Sequence, residues 1–360
     1  MFNAMAKAVF LGSIMVTIAI VGITMNTLAV CIFATRKKMK SLFHRILMCL
    51  LLADNLYLAC TILSSVYFDF KIDDMVWIMP YFVLPFKDVS RTACLLTTIA
   101  LSYERYSICC DPKKFKRSRQ TSQNGNYNKY KIYAIILSVW VFSVVYNILR
   151  FFVYCINCRD PEVHGLQKTK LRENPDFKLY YKGIRWIIFT LMSLATLIYL
   201  NWKVYTHVSQ SLRDCEPKST ATINEDDAPL PSFHEEYNNR MSKQLLGIIR
   251  RREKLVFALF VLVLCNLIGN SLKMVEETIQ AIDIKPDGLR TLQKIARLML
   301  TLNSSVNALI YGFSDRKFRR IILSIIMNAI NFISCNNFFT NKKQTSISSH
   351  SDQKFQEIQY

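Results

Sequence analysis

The chain has 360 residues, 46 Lys+Arg against 26 Asp+Glu for a formal net charge of +20, and 51% hydrophobic residues with only 9 Gly and 9 Pro. So much apolar surface excludes an intrinsically disordered protein, the size excludes a secreted disulfide mini-protein, and the composition excludes a collagen-like or low-complexity chain. The spacing of the charges then decides between a soluble core and membrane spans.

In chain order, Lys7 and Arg36 enclose 28 uncharged positions, Lys131 and Arg150 enclose 18, Arg185 and Lys203 enclose 17, Lys254 and Lys273 enclose 18, and Arg297 and Asp315 enclose 17; Arg45 to Asp69 contains the single charge Asp54. A hydrocarbon core about 30 Å thick takes roughly 20 helical residues, so each stretch is long enough once its flanking charges reach the headgroups. A further span crosses Val76 to Tyr106, interrupted by Lys87, Asp88 and Arg91. The expected fold is an all-α membrane protein, a seven-helix bundle over residues 8–314 with spans at about 8–35, 46–68, 76–106, 131–154, 183–207, 254–276 and 290–312.

Basic residues crowd the loops after the first and third spans (Arg36, Lys37, Lys38; Lys113, Lys114, Lys116) and the run Arg250-Arg251-Arg252, whereas the loops holding Asp69 to Asp74 and Glu276 to Asp287 mix cations with acids. The positive-inside rule puts residues 1–7 outside as a short extracellular segment and the carboxyl tail in the cytoplasm of a multi-pass plasma-membrane protein. The net charge then reads as a cytoplasmic collar facing anionic lipid rather than as a nucleic-acid surface. The first apolar run, followed by a basic stop, reads as a signal anchor. The stretch 209–250 reads as a cytoplasmic loop, 315–335 as a basic-then-apolar eighth helix lying in the interface, and 336–360 as a disordered cytoplasmic tail.

An ionisable residue inside hydrocarbon is costly and marks either function or a paired interior. Asp54, in the middle of the second span, must meet a polar partner, an ion or water across a helix interface; Asn26, Asn303, Ser304, Ser305 and Asn307 are groups of the right kind, and interhelical glue is the plain alternative. In the third span Arg91, Cys94, Thr98, Leu101 and Arg105 recur at steps of three and four, so they share one stripe. Such a helix crosses a membrane only where the stripe faces protein or water, which makes the third span central. Lys87, Asp88 and Arg91 then belong to a wet outer pocket, and Glu104-Arg105-Tyr106 to the inner boundary, where the adjacent acid and base meet only sideways.

Glu104-Arg105-Tyr106 followed by Cys110-Asp111-Pro112, Leu50 to Asp54, Asn26, Trp140, and Asn303 to Tyr311 running into Phe318-Arg319 together resemble a rhodopsin-like (class A) G protein-coupled receptor. The resemblance covers about Gly22 to Arg320, and the ligand side is loosely similar to invertebrate FMRFamide-type neuropeptide receptors. It implies that Arg105 is the activation switch, held by Glu104 and released toward a heterotrimeric G protein, with Tyr106 beside it, Asn307 and Tyr311 supporting the open form, and Trp140 packing. It also implies a central polar site of Asn26, Asp54, Cys94, Asn303 and Asn307 that in relatives binds a sodium ion; Cys94 stands where a serine is usual. Asn307-Ala308 replaces the family's Asn-Pro, Cys265-Asn266-Leu267-Ile268 replaces a Cys-Trp-x-Pro-like run, Asn201 stands in place of a tyrosine, and Pro80 lies near the usual third-span cysteine.

Of the 11 cysteines, Cys155 and Cys158 are the outer pair, either a disulfide or two free thiols, and Cys335 is a candidate for palmitoylation. Nothing in the sequence suggests a zinc site, a phosphate loop or a nucleophile elbow, so no enzyme is expected. The expected partners are membrane lipids, a heterotrimeric G protein and an extracellular peptide or small-molecule ligand, without nucleic acid. Asp88, Glu276 and Glu277 near the outer mouth suit a guanidinium with Tyr81, Phe82, Phe86 and Trp186 for a ring, while Lys87, Arg91 and Lys273 equally suit an acidic ligand. A serpentine chemoreceptor for small molecules, or a non-signalling seven-helix transporter or scaffold, are the rival readings of the same architecture.

Overall fold

The computed structural model describes residues 2–35, 42–111, 125–156, 165–178, 185–215, 263–276, 289–314 and 318–324, with a few isolated positions besides. Seven long helical segments follow the apolar stretches: α1 (Phe2–Thr35), α2 (Leu42–Phe68), α3 (Leu84–Cys110), α4 (Gly125–Asn147), α5 (Arg185–Cys215), α6 (263–276) and α7 (Leu289–Ser314). Helix is what apolar sequence must form in lipid, because only a helix satisfies every backbone group within its own segment. By length and composition α1, α2 and the stretch Tyr133–Phe152 qualify outright as spans. α3, α5 and α7 carry polar residues that lower their hydropathy, and the described part of α6 is too short for the comparison.

Boundaries depart from the sequence expectation where polar residues are tolerated. α1 starts at Phe2 and α5 continues to Cys215, into the stretch assigned to a loop. The third span opens with a π-helical turn, Met79–Val83, that accommodates Pro80, and α4 tightens into a 3-10 turn, Ile148–Phe152. A feature the all-α reading lacks is a small antiparallel hairpin, β1 (Tyr154–Ile156) with β2 (Leu166–Lys168), Cys155 opposite Gln167. Residues 318–324 are helical; the rest of the expected eighth helix, the expected cytoplasmic loop beyond Cys215 and the expected tail lie outside the described residues.

α3 packs against α2, α4 and α5, as its stripe requires. Arg91, Cys94, Thr98 and Leu101 are all buried. Leu95 meets Leu197 and Val263, joining α3, α5 and α6, and Leu300 meets Ala19, Tyr57 and Leu58, joining α7 to α1 and α2. α4 stands at the periphery and turns Leu137, Val141 and Val145 outward, a stripe suited to lipid.

α1 and α7 approach to backbone contact at Gly22, where a Cβ would stand 2.8 Å from the Ser305 Cα. Ser305 Oγ seals the crossing by donating to the Ile18 carbonyl at 3.1 Å. Small residues permit such close helix packing in membranes, where van der Waals contact replaces the hydrophobic effect as the driving force. Gly22→Val should therefore lower the thermal midpoint of the purified protein, a cost of about 1–3 kcal/mol for overpacking. An unchanged midpoint would contradict the crossing.

Candidate functional site

The site has three levels along α3. At the end where α3 begins, a cavity of about 140 Å³ brings together Lys87, Asp88 and Arg91 of α3 with Arg150 at the end of the fourth span, Lys273 of α6 and Arg297 of α7. Lys87 Nζ donates to Ser64 Oγ at 2.9 Å and lies 5.7 Å from the centroid of the Tyr57 ring. Arg150 is ion-paired with Asp88 at 2.5 Å, and Lys273 is paired with Glu276 one turn further along α6. Glu276, expected at the mouth, is buried and does not line the cavity; Glu277 and the Trp186 side chain lie outside the described residues.

A ladder of amides leads from that cavity into the bundle. Arg91 Nε and Nη2 both donate to Asn270 Oδ1, at 3.3 and 3.2 Å. Asn270 Nδ2 donates to the Asn266 carbonyl at 2.9 Å, and the Asn266 side-chain oxygen accepts from Asn303 Nδ2 at 3.1 Å. One turn along α7, Asn307 Nδ2 donates to Asp54 Oδ2 at 2.6 Å, while Cys94 Sγ donates to Asp54 Oδ1 at 3.1 Å. The Ser304 side chain also bonds Asp54. The carboxylate is fully buried, and among the described residues no cation pairs with it. It is held by dipoles alone.

Two of the predicted central residues bond elsewhere. Asn26 Nδ2 donates to the Ser304 carbonyl at 3.1 Å, tying α1 to α7, and Asn303 bonds Asn266 rather than Asp54, because Asn266 stands on the facing turn of α6. The side-chain oxygens of Asn26, Asn303 and Asn307 are buried with no hydrogen-bond partner among the described residues. Orphaned buried oxygens of this kind call for water or a cation.

At the far end of α3, Arg105 is half-buried, its Nε 3.9 Å from Glu104 Oε2 and its guanidinium carbon 3.5 Å from the centroid of the Phe43 ring on α2. The expected acid–base contact is present but long, and the sequence offered no sign of the aromatic shelf. Tyr106 packs with Cys109 against Val204 and Val208 of α5. Trp140 of α4 bonds the Cys49 thiol of α2. Cys155 is disulfide-bonded; Cys158, Cys335 and the Tyr311 side chain lie outside the described residues.

Arg150, Arg297, Asn266 and Asn270 were missed as site residues. Arg297 had a usable signal: it marks one end of a charge-free gap, yet it falls well inside the span that begins near residue 290, where any cation deserves a partner. Asn266 and Asn270 gave a weaker one, a four-residue spacing that places two amides on one face of α6.

Residues 25–311 match the family described as "7 transmembrane receptor (rhodopsin family)". The chain is similar to an FMRFamide receptor of Drosophila melanogaster, 27% identical over 249 residues, 68% of this chain and 39% of that protein, so it spans well under half of that relative's length. It is also similar to a protein of Caenorhabditis elegans described as "Probable G-protein coupled receptor frpr-1", 23% identical over 354 residues, 90% of this chain and 80% of that one. The seven helices, the buried third helix with Glu104-Arg105-Tyr106 at its end, and the match across most of the chain lead to one conclusion: this is a receptor rather than an enzyme, a membrane protein that belongs to the rhodopsin family of seven-transmembrane receptors.

Proposed function

We propose that the protein is a neuropeptide receptor of the plasma membrane, with its amino terminus outside, that activates a heterotrimeric G protein. The observation that carries the reading is the continuous polar ladder from the cavity, through Arg91, Asn270, Asn266 and Asn303, to the turn of α7 that holds Asp54. The relatives' names, one an FMRFamide receptor and one a G-protein coupled receptor, support the ligand class and the partner.

In this mechanism a ligand group in the cavity competes with Asn270 for the Arg91 guanidinium. Loss of that contact frees α6, in which Asn266 stands within the run that, by the resemblance, carries the family's aromatic residue. Ligand binding then shifts the population toward a form in which Arg105 leaves Phe43 and Glu104 and becomes available to the G protein. Asp54 with the orphaned oxygens of Asn303 and Asn307 fits a sodium ion, which would steady the resting arrangement by supplying the missing charge partner.

The test is nucleotide exchange on a panel of heterotrimeric G proteins, with the full chain in lipid nanodiscs and short peptides added. Acceleration by at least one peptide on at least one heterotrimer is expected. Exchange that stays at the protein-free rate throughout the panel would remove the reading.

A further inference from the structure

We infer that the part of the ligand entering the cavity is an anion: a peptide carboxylate, from an acidic side chain or a free C-terminus. The inference rests on the receptor reading for what the cavity is, and goes beyond it in fixing the chemistry the cavity accepts.

The charge count at the walls carries the argument. Lys87, Arg91, Arg150, Lys273 and Arg297 line the cavity, and among the described residues Asp88 is the acid that faces them. That acid is already ion-paired to Arg150 at 2.5 Å. The next acid, Glu276, is buried behind Lys273 and paired with it. Lys87 meets neutral groups, the Ser64 hydroxyl and the Tyr57 ring. Arg91 points both Nε and Nη2 at one amide oxygen, a forked geometry that a carboxylate would match better, since two oxygens can each take one N–H.

A ligand guanidinium entering this space would meet like charges at reduced dielectric and would have to take Asp88 from Arg150. An anion relieves the repulsion among the wall cations, leaves the Arg150–Asp88 and Lys273–Glu276 pairs in place, and takes Arg91 only from a neutral amide oxygen. The volume agrees, because about 140 Å³ is far below the roughly 300–1,000 Å³ of a site that engulfs a whole small ligand. One terminal group enters and the rest of the peptide stays outside. A peptide ending in Arg-Phe amide therefore places an acid of its own here, and its guanidinium elsewhere.

The test uses the full chain in phosphatidylcholine nanodiscs, with probe binding read from the shift of the thermal midpoint across a probe titration. The probes are Phe-Met-Arg-Phe as its amide, the same peptide as its free acid, the amide extended by an N-terminal glutamate, and lysophosphatidate. At least one carboxylate-bearing probe should bind tenfold or more tightly than the plain amide. If it is the free acid, the source is a C-terminus; if it is the glutamate form, the source is a side chain. Arg297→Gln and Lys87→Ala should each erase most of that preference, and Lys87→Glu should turn it toward the plain amide. Should Lys87→Glu fail to fold, Arg297→Gln carries the comparison. Equal binding of amide and acid forms, a response to lysophosphatidate alone, or no binding by any probe overturns the inference. Nucleotide exchange, measured separately, keeps the two readings apart. Charge-selective binding without exchange removes the signalling account and leaves the anion site, whereas exchange driven equally well by the plain amide does the reverse.

Discussion

Asp54→Ala is expected to be the most destabilising single substitution in the bundle. The carboxylate accepts from Asn307 at 2.6 Å and from Cys94 at 3.1 Å and bonds the Ser304 side chain, all in a site closed to water. Truncation leaves those donors without acceptors, at about 1–3 kcal/mol for each buried group orphaned, and opens a cavity as well. The thermal midpoint in nanodiscs should fall by many degrees, and Asp54→Asn, which keeps the shape and most of the hydrogen bonds, should recover much of the loss. The two variants also probe the cation. Replacing potassium by sodium should raise the midpoint of the wild type and leave Asp54→Asn unmoved, because the neutral amide brings no charge to the orphaned oxygens of Asn303 and Asn307. An equal sodium response in both would remove the ion from the account.

Arg105→Ala carries the largest expected effect on activity. The guanidinium is half-buried, stacked on Phe43 at 3.5 Å and 3.9 Å from the Glu104 carboxylate. Those contacts contribute modestly to stability, about 0.5–2 kcal/mol for the stacked cation and less for an ion pair as long as this one, whose Glu104 oxygen is buried. The variant should fold and express, with a midpoint close to the wild type. Recovery of the nucleotide-free G protein on the immobilised receptor should drop at least tenfold, since the group that meets it is gone. Phe43→Ala should act in the opposite sense and raise ligand-free exchange, by removing the shelf that holds Arg105 in place. Undiminished G protein recovery by Arg105→Ala would take the switch away from this residue.

The bundle was legible in the sequence because its signals repeat. Charge-free stretches of membrane length recur along the chain, and the stripe from Arg91 through Cys94 and Thr98 to Leu101 follows the helical period closely enough to place α3 at the centre. Hydropathy counts what a residue costs in lipid, so it found Asp54 readily. It could not say which partner satisfies it, because that depends on how α1, α6 and α7 are rotated; Asn26 and Asn303 are the cost of that ignorance, each bonded to something other than Asp54. Arg150 and Arg297 were read as ends of spans, and the fold turns both inward. Three-residue strands carry too little alternation to be seen, which is why the hairpin around Cys155 came only with the structure.

The departures in α6 and α7 take on physical sense once the ladder is in view. Asn266, which by the resemblance stands in place of an aromatic residue, hydrogen-bonds α6 to α7. With Ala308 after Asn307, α7 runs through Ser314 as one α-helix and keeps Asn303 and Asn307 stacked a turn apart. Hydrogen-bonded amides can hold a resting state as an aromatic plug does, provided a ligand can break one rung.

Coupling between two sites is reciprocal: whatever affinity the ligand lends the G protein, the G protein must return to the ligand. The most direct measurement is therefore the affinity of the best-binding peptide probe for the full chain in nanodiscs, with and without saturating nucleotide-free heterotrimer. The ladder predicts an affinity higher by about 5–150-fold when the G protein is bound, the usual range of allosteric coupling, and a smaller ratio for Asn266→Ala, which removes the hydrogen bond from α6 to Asn303 of α7. An affinity that is the same with and without the G protein would contradict it.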